Sequence, residues 1–285
     1  MSPVHSVRPV SRPDEWEAAA LDLDAYLERI GYDGPREPTV ATLRGLHLAH
    51  VASIVFENVD ALLGPGVSLD LACLQDKLVR QRRGGYCHEH NLLFAAVLER
   101  LGFRVTRLLA RARDDGQTVL PRGHATLLVA VDDRLWLADV GFGSEGLLEP
   151  VPLVEGAEVH QGPWAYGLER RGADWILRGD GTVLYSFAPG EYRRPDFEAA
   201  NYFVSTHTSS PFATELIVQR AHPHARYALR GLDLTITIGG GGQARRQIAA
   251  RDLRDVLRDT FEVSVTPAQA VLLAATARGR SQRAL

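Results

Sequence analysis

The chain has 285 residues, 45% of them apolar and 24% charged, with a formal net charge of −3, which suits a globular protein of two or three compact units. That balance provides no global field to recruit nucleic acid or anionic lipid, and no stretch approaches the roughly 20 apolar residues of a membrane helix. Residues 1–13 contain Pro3, Pro9 and Pro13 with Arg8 and Arg12 but no apolar run, so no secretory leader is expected; with only Cys73 and Cys87 as thiols, a reducing cytoplasm is the expected compartment.

The first third reads as helical. Asp14 can cap a segment through Trp16, Leu21, Leu23, Tyr26, Leu27 and Ile30 that Gly31 closes. Pro38-Thr39 opens a second segment, with Val40, Leu43, Leu46 and His47 at helical spacing. A third is expected at about 69–79, where the apolar spacing makes Cys73 a small core residue. A fourth starts near Cys87, carries Leu92, Leu93, Phe94, Val97, Leu98 and Leu101, and ends at Gly102.

The period then changes. Residues 104–111, 124–131 and 134–140 read as strands, followed by shorter ones at 166–170, 175–178 and 183–187 between Gly and Asp turns. Such a run predicts an antiparallel sheet or barrel. Residues 193–212 are polar and aromatic, with Pro195 and Pro211 as breakers. Strands at 215–220, 227–230 and 233–238 follow, then a glycine turn at 239–242 and helices at about 251–260 and 267–277. The glycine run reads as a hairpin or loop, since no helix start with Lys-Ser/Thr follows it.

The chemistry concentrates in Arg82-Arg83-Gly84-Gly85-Tyr86-Cys87-His88-Glu89-His90-Asn91. Two glycines let backbone approach other groups closely, and Cys87 would then stand at a helix start. There the free N–H groups and the dipole favour a thiolate and can cradle an oxyanion. A zinc site is disfavoured: His88 and His90 diverge by roughly 200° on a helix, and no second ligand-rich cluster exists in the sequence. Packing against neighbours is the default expectation for His88.

A catalytic thiol needs a base, and the base an orienting group. His124 begins one strand and Asp139 ends the next, with Asp132-Asp133 between them. A two-residue hairpin would set Val131 opposite Arg134 and Thr126 opposite Asp139. His124 would then lie diagonal to Asp139 on the same face, at about 7–8 Å between backbones. An odd loop would put the two on opposite faces, and each could separately be a satisfied polar residue at a strand end.

The block Arg83-Gly84-Gly85-Tyr86-Cys87 with Glu89-His90-Asn91 closely resembles the active-site signature of arylamine N-acetyltransferases. The same family is matched in order by Val55-Phe56-Glu57-Asn58-Val59-Asp60, by His124 before its apolar strand, and by Trp136-Leu137-Ala138-Asp139-Val140-Gly141-Phe142-Gly143. Asn201, Ser205-Thr206-His207 and Ser210-Pro211-Phe212 resemble the segment leading into its last domain.

The resemblance implies an α+β fold with a cysteine-protease or transglutaminase-like core: a helical bundle (1–101) with the nucleophile, an antiparallel β-barrel (102–203) with the histidine and aspartate, and an α/β lid (204–285). It implies Cys87, His124 and Asp139 as a catalytic triad, Phe56 and Phe142 as lining of an aromatic acceptor pocket, and Gly141, Gly143, Thr206 and His207 near coenzyme A. The implied activity is ping-pong transfer of acetyl from acetyl-CoA to aromatic amines or hydrazines, with no metal, membrane or nucleic-acid partner. An amide synthase of macrolactam biosynthesis, a Cys–His–Asp hydrolase and a non-catalytic binder are the alternatives. The chain departs from the family pattern at Val55, where proline is common, and at His88, where phenylalanine is common; the second bears on acceptor preference.

Overall fold

The structure is a computed structural model and describes residues 15–64, 66–117 and 120–281. The first third holds α1 (Leu23–Ile30), α2 (Val40–Ser53), β1 (Phe56–Glu57), α3 (Val59–Leu63), α4 (Leu71–Gln75) with a π-helical turn (Asp76–Arg80), and α5 (Cys87–Arg100). Then come β2 (Arg104–Ala112), β3 (His124–Val131), β4 (Arg134–Ala138), β5 (Val151–Pro152), β6 (Glu158–Gln161), β7 (Trp164–Arg171), β8 (Asp174–Gly179) and β9 (Thr182–Phe187). The last third is α6 (Arg194–Thr206), α7 (Pro211–Thr214), β10 (Ile217–His222), β11 (Ala225–Arg230), β12 (Asp233–Ile238), β13 (Gly242–Gln247), α8 (Leu253–Phe261) and α9 (Pro267–Ser281). No helix among the described residues is long and apolar enough to cross a membrane.

The first helix is shorter than its apolar spacing predicts. It begins at Leu23, where the Asp22 carboxylate accepts from the Ala25 N–H at 3.1 Å, and ends at Gly31 with φ 65°. The cap expected at Asp14 lies outside the described residues. Cys73 corrects the sequence reading: it is exposed, because α4 turns Leu71, Leu74 and Gln75 inward and the position two after Leu71 falls roughly 200° around.

Helix α5 is the central element. Every residue from Cys87 to Leu98 is buried, as expected of a helix enclosed on all sides. Strands β2–β9 form one antiparallel eight-stranded sheet in the order β5-β4-β3-β2-β9-β8-β7-β6. Its two edge strands are consecutive in sequence and separated only by residues 153–157, so the sheet must curl until its edges approach, giving a nearly closed barrel. Strand β3 is buried on both faces. Ala125, Leu127, Val129 and Val131 pack with α5 in one core, while Leu128 joins Leu108, Leu137, Trp164 and Leu177 inside the barrel.

A second sheet runs β1-β10-β11-β12-β13. It pairs Phe56 with Gln219 and packs its own core against Leu253, Leu257, Phe261 and Leu273 of α8 and α9. The glycine turn before β13 is a hairpin, with Ile238 facing Gly242. Helix α6 and strand β13 are among the elements that escape the sequence reading. Pro195 sits in the first turn of α6, where a missing N–H costs nothing, so the expected breaker is a helix start. Strand β13 is exposed throughout and has no apolar alternation to betray it.

Candidate active site

The turn before α5 is built by close packing of main chain. A Cβ on Gly84 would lie 2.2 Å from the Val55 carbonyl oxygen, and one on Gly85 2.7 Å from Oε2 of Glu89. The missing side chains let Glu57 N–H donate to Gly85 O at 2.7 Å. Glu89 folds back to accept from the Tyr86 N–H at 3.0 Å and takes a 2.7 Å hydrogen bond from Lys77 Nζ. Lys77 also pairs with Asp60 at 3.0 Å. Arg83 reaches the same Asp60 at 2.6 Å and Glu57 at 3.2 Å. The signature's charged residues thus hold the turn, leaving Cys87 as the first residue of the helix.

A line of buried rings supports the same turn. His90 Nε2 donates to the carbonyls of Gly85 (3.0 Å) and Val55 (3.2 Å). A carbonyl only accepts, so the His90 proton is on Nε2 and its Nδ1 accepts from His50 Nε2 at 2.9 Å. His50 Nδ1 in turn accepts from the Tyr26 hydroxyl at 2.7 Å. Each tautomer is fixed by the next partner. Burial holds His90 down at about 4 and His50 well below the ordinary range, so both rings are neutral.

The β3–β4 hairpin has the expected register, with Val131 opposite Arg134 and Leu127 opposite Ala138. Its two-residue turn has positive φ at both Asp132 (50°) and Asp133 (57°), which matches the twist of the strands. Asp139 therefore follows Leu137 onto the barrel's inner face, where His124 Nε2 and Asp139 Oδ2 stand 2.6 Å apart. Oδ1 of Asp139 accepts from Asn91 Nδ2 and from Gly141 N–H, each at 2.9 Å. His47 closes the frame. Its Nε2 accepts the Asp139 N–H at 3.1 Å and its Nδ1 donates to Leu148 O at 2.9 Å.

The charges follow from this geometry. Burial opposes ionisation of Asp139, but the His124 charge and the hydrogen bonds from His124, Asn91 and Gly141 hold the carboxyl below its usual range. Burial likewise opposes the His124 cation, yet Asp139 and Cys87 raise the ring to about 10. For Cys87, burial would raise the thiol. The electrostatic attraction of His88 and hydrogen bonding from His124 and His88 outweigh it and bring the thiol down to about 5. With Nε2 committed to Asp139, Nδ1 is the His124 atom left for the sulfur. The arrangement can hold a thiolate–imidazolium pair, the requirement for an activated sulfur nucleophile.

The remaining expected residues take several positions. Gly141 abuts Cys87 itself, since a Cβ there would lie 2.9 Å from both Cα and O of that residue. The Phe142 ring meets His124 edge-on at 5.1 Å. Phe56 is buried in a cluster with Tyr86, Cys87, Val204 and Ile217. Gly143 has φ 86° and no room for a Cβ beside Gln219 Oε1, which accepts the Ser144 N–H at 3.0 Å. Thr206 and His207 end α6, two and three residues beyond Val204. The Thr206 hydroxyl donates to Tyr202 O at 2.6 Å, and His207 stacks on Phe203 at 4.5 Å and bonds Ser209 at 2.7 Å.

Sequence reasoning gave no role to several residues of this site. Asn91 lies within the signature, one helical turn from Cys87, a spacing that could have marked it. Tyr185, 4.8 Å from the His124 ring, and His47 come from distant segments and carry no local signal. His88 is packed as expected, fully buried between Tyr86 and Phe197, but its Nδ1 also lies 3.4 Å from the Cys87 sulfur.

A family model described as N-acetyltransferase matches residues 39–271. The arylamine N-acetyltransferase of Mycolicibacterium smegmatis is 40% identical over 256 residues, spanning 86% of this chain and 93% of the relative. This chain belongs to the arylamine N-acetyltransferase family. Among solved structures, the Nocardia farcinica arylamine N-acetyltransferase superposes with a TM-score of 0.88 at 43% identity, covering 93% of this chain and 98% of the other. The Mycobacterium marinum arylamine N-acetyltransferase, solved in complex with CoA, superposes at 0.83 with 36% identity, covering 90% and 98%.

Proposed function

We propose that this chain transfers acetyl from acetyl-CoA to the nitrogen of arylamines, arylhydrazines or related aromatic amines through a thioester on Cys87. The carrying observation is the 2.6 Å contact between Asp139 and His124, beside a sulfur lowered to about 5 at a helix start. The Cys87 thiolate attacks the thioester carbonyl, and unpaired N–H groups of the first turn of α5 receive the oxyanion. On collapse the CoA sulfur leaves with the proton of His124, and Cys87 keeps the acetyl group. The amine then attacks, passes its proton to His124, and Cys87 departs as thiolate. Weakly basic amines suit the second step because they remain unprotonated at neutral pH.

Phe56 and Phe142 would wall the aromatic acceptor, and Gly141, Gly143, Thr206 and His207 would border coenzyme A. We divide the chain into a helical bundle (1–101), a barrel (102–203) and an α/β lid (204–285); β1 pairs into the last unit's sheet and α6 spans its limit. The cytoplasm is the compartment we assign, from the cysteine usage.

Intact-mass analysis after incubation with acetyl-CoA is the test. One acetyl group is expected on Cys87, none on the exposed Cys73, and aromatic amines should discharge it as the N-acetyl product. Absence of the adduct, or release of acetate with no amine present, would reject the reading. Cys87→Ala should abolish both adduct and turnover.

A further inference from the structure

We propose that His88 is a second hydrogen-bond donor to the Cys87 sulfur, a catalytic residue that stabilises the thiolate independently of His124. The ring is fully buried, with Nδ1 3.4 Å from Sγ. Its Nε2 is buried with no hydrogen-bond partner, between the rings of Tyr86 at 5.7 Å and Phe197 at 6.4 Å. These facts choose the tautomer. If Nδ1 accepted from a thiol, the ring proton would sit on Nε2 as a buried donor with nothing to receive it, a rare and costly state. With the proton on Nδ1, the ring gives a charge-assisted hydrogen bond to sulfur and leaves only a lone pair unmatched.

His124, held as a cation by Asp139, adds a positive charge that also favours the thiolate. The titratable groups facing the ring are Cys87 and Tyr86 on its own turn and, across the sulfur, His124 from β3. Tyr86 is kept neutral by burial and bonds its hydroxyl to Asn201. Helix α6 presents Phe197 and Asn201, neither ionisable. A phenylalanine at position 88 would fill the same volume but donate nothing, so this chain's sulfur would stay ionised at lower pH than that of a relative bearing the hydrocarbon ring.

The inference rests on Cys87 being the nucleophile, but its test reads sulfur acidity and not acetyl transfer, so the two can fail separately. The rate of iodoacetamide alkylation is followed against pH on the full chain and quantified on the Cys87 peptide, which removes the exposed Cys73 from the signal. The native midpoint is expected near 5. His88→Phe should raise it by about one to two units, lowering the rate at pH 5 by roughly five- to fifty-fold and converging with native above about pH 8. His88→Asn sets an amide N–H where Nδ1 stands and should recover most of that loss. His88→Gln, whose amide reaches the Nε2 position instead, should behave like the phenylalanine variant. A native profile in His88→Phe overturns the proposal. Should that variant fail to fold, the amide pair decides, and indistinguishable His88→Asn and His88→Gln profiles overturn it equally.

Discussion

Asp139 is held by three donors on two oxygens: His124 on Oδ2, Asn91 and Gly141 on Oδ1. An amide cannot serve all three. In Asp139→Asn one orientation sets the new NH2 against the His124 N–H, and the other sets it against Asn91 and Gly141. We expect the variant to fold but to turn over at least about 100-fold more slowly, measured as kcat for acetyl transfer with circular dichroism as the control. Gly141→Ala is a steric counterpart, because its Cβ would press on Cys87 Cα and O at 2.9 Å. It should cost about 1–3 kcal/mol in urea unfolding and displace the sulfur. At this scale the sequence exposed the residues that carry unusual chemistry, Cys87, His124 and Asp139. It hid those that act by position, such as His47 and Tyr185, since an imidazole or phenol in an apolar segment looks the same whether it packs or positions.

Among elements, α5 and the β3–β4 hairpin do most to assemble the site. Both were legible, because α5 follows a glycine pair and Gly102 lies just past its end, and because the hairpin's two Asp residues force a short turn. Helix α6 was not. Its Pro195 looked like an interruption, yet at a first turn it is compatible with the helix, and Phe197 supplies the anchor by meeting Trp16 edge-on at 5.3 Å. Cys73 differs from its expectation because, two residues after Leu71, it falls on the side of α4 away from the buried Leu71, Leu74 and Gln75. Helix α2 carries His47 and His50 inward and is capped by Thr39 Oγ1, which accepts from the Thr42 N–H at 3.2 Å. Thr39→Ala should cost about 1 kcal/mol in urea unfolding, with little change in sulfur acidity.

Across the whole molecule, Asn58 binds the first third to the last. Its Nδ2 donates to Phe212 O and Glu215 O, both at 2.8 Å, and its Oδ1 accepts the Ile217 N–H at 2.8 Å. Asn58→Ala would orphan these buried groups, and we expect a loss of about 2–4 kcal/mol, larger than that of the α2 cap. Stability should also depend on acidity. Burial holds His47 and His90 near 4 and His50 well below its ordinary value, whereas the unfolded chain titrates them near 6.5. Between about pH 6.5 and 4 the unfolded state therefore binds more protons, so stability rises with pH through that window and falls on acidification. Urea unfolding at pH 4.5 should give a free energy a few kcal/mol below that at pH 7. His124, raised to about 10, stays charged in the fold, and it contributes a slope of opposite sign only near the top of that window, where the unfolded ring loses its proton.

The row from Tyr26 through His50 and His90 to Gly85 has a further consequence. Each hydrogen points the same way along it, so no member can reverse alone without two donors meeting head to head. Reorientation must be concerted, and the Gly85–Tyr86 peptide, just ahead of Cys87, inherits that stiffness. The two imidazoles should accordingly show the same nitrogen assignment, His90 and His50 each protonated at Nε2 and bare at Nδ1, as sharp, non-exchanging signals in a nitrogen-15 spectrum at neutral pH.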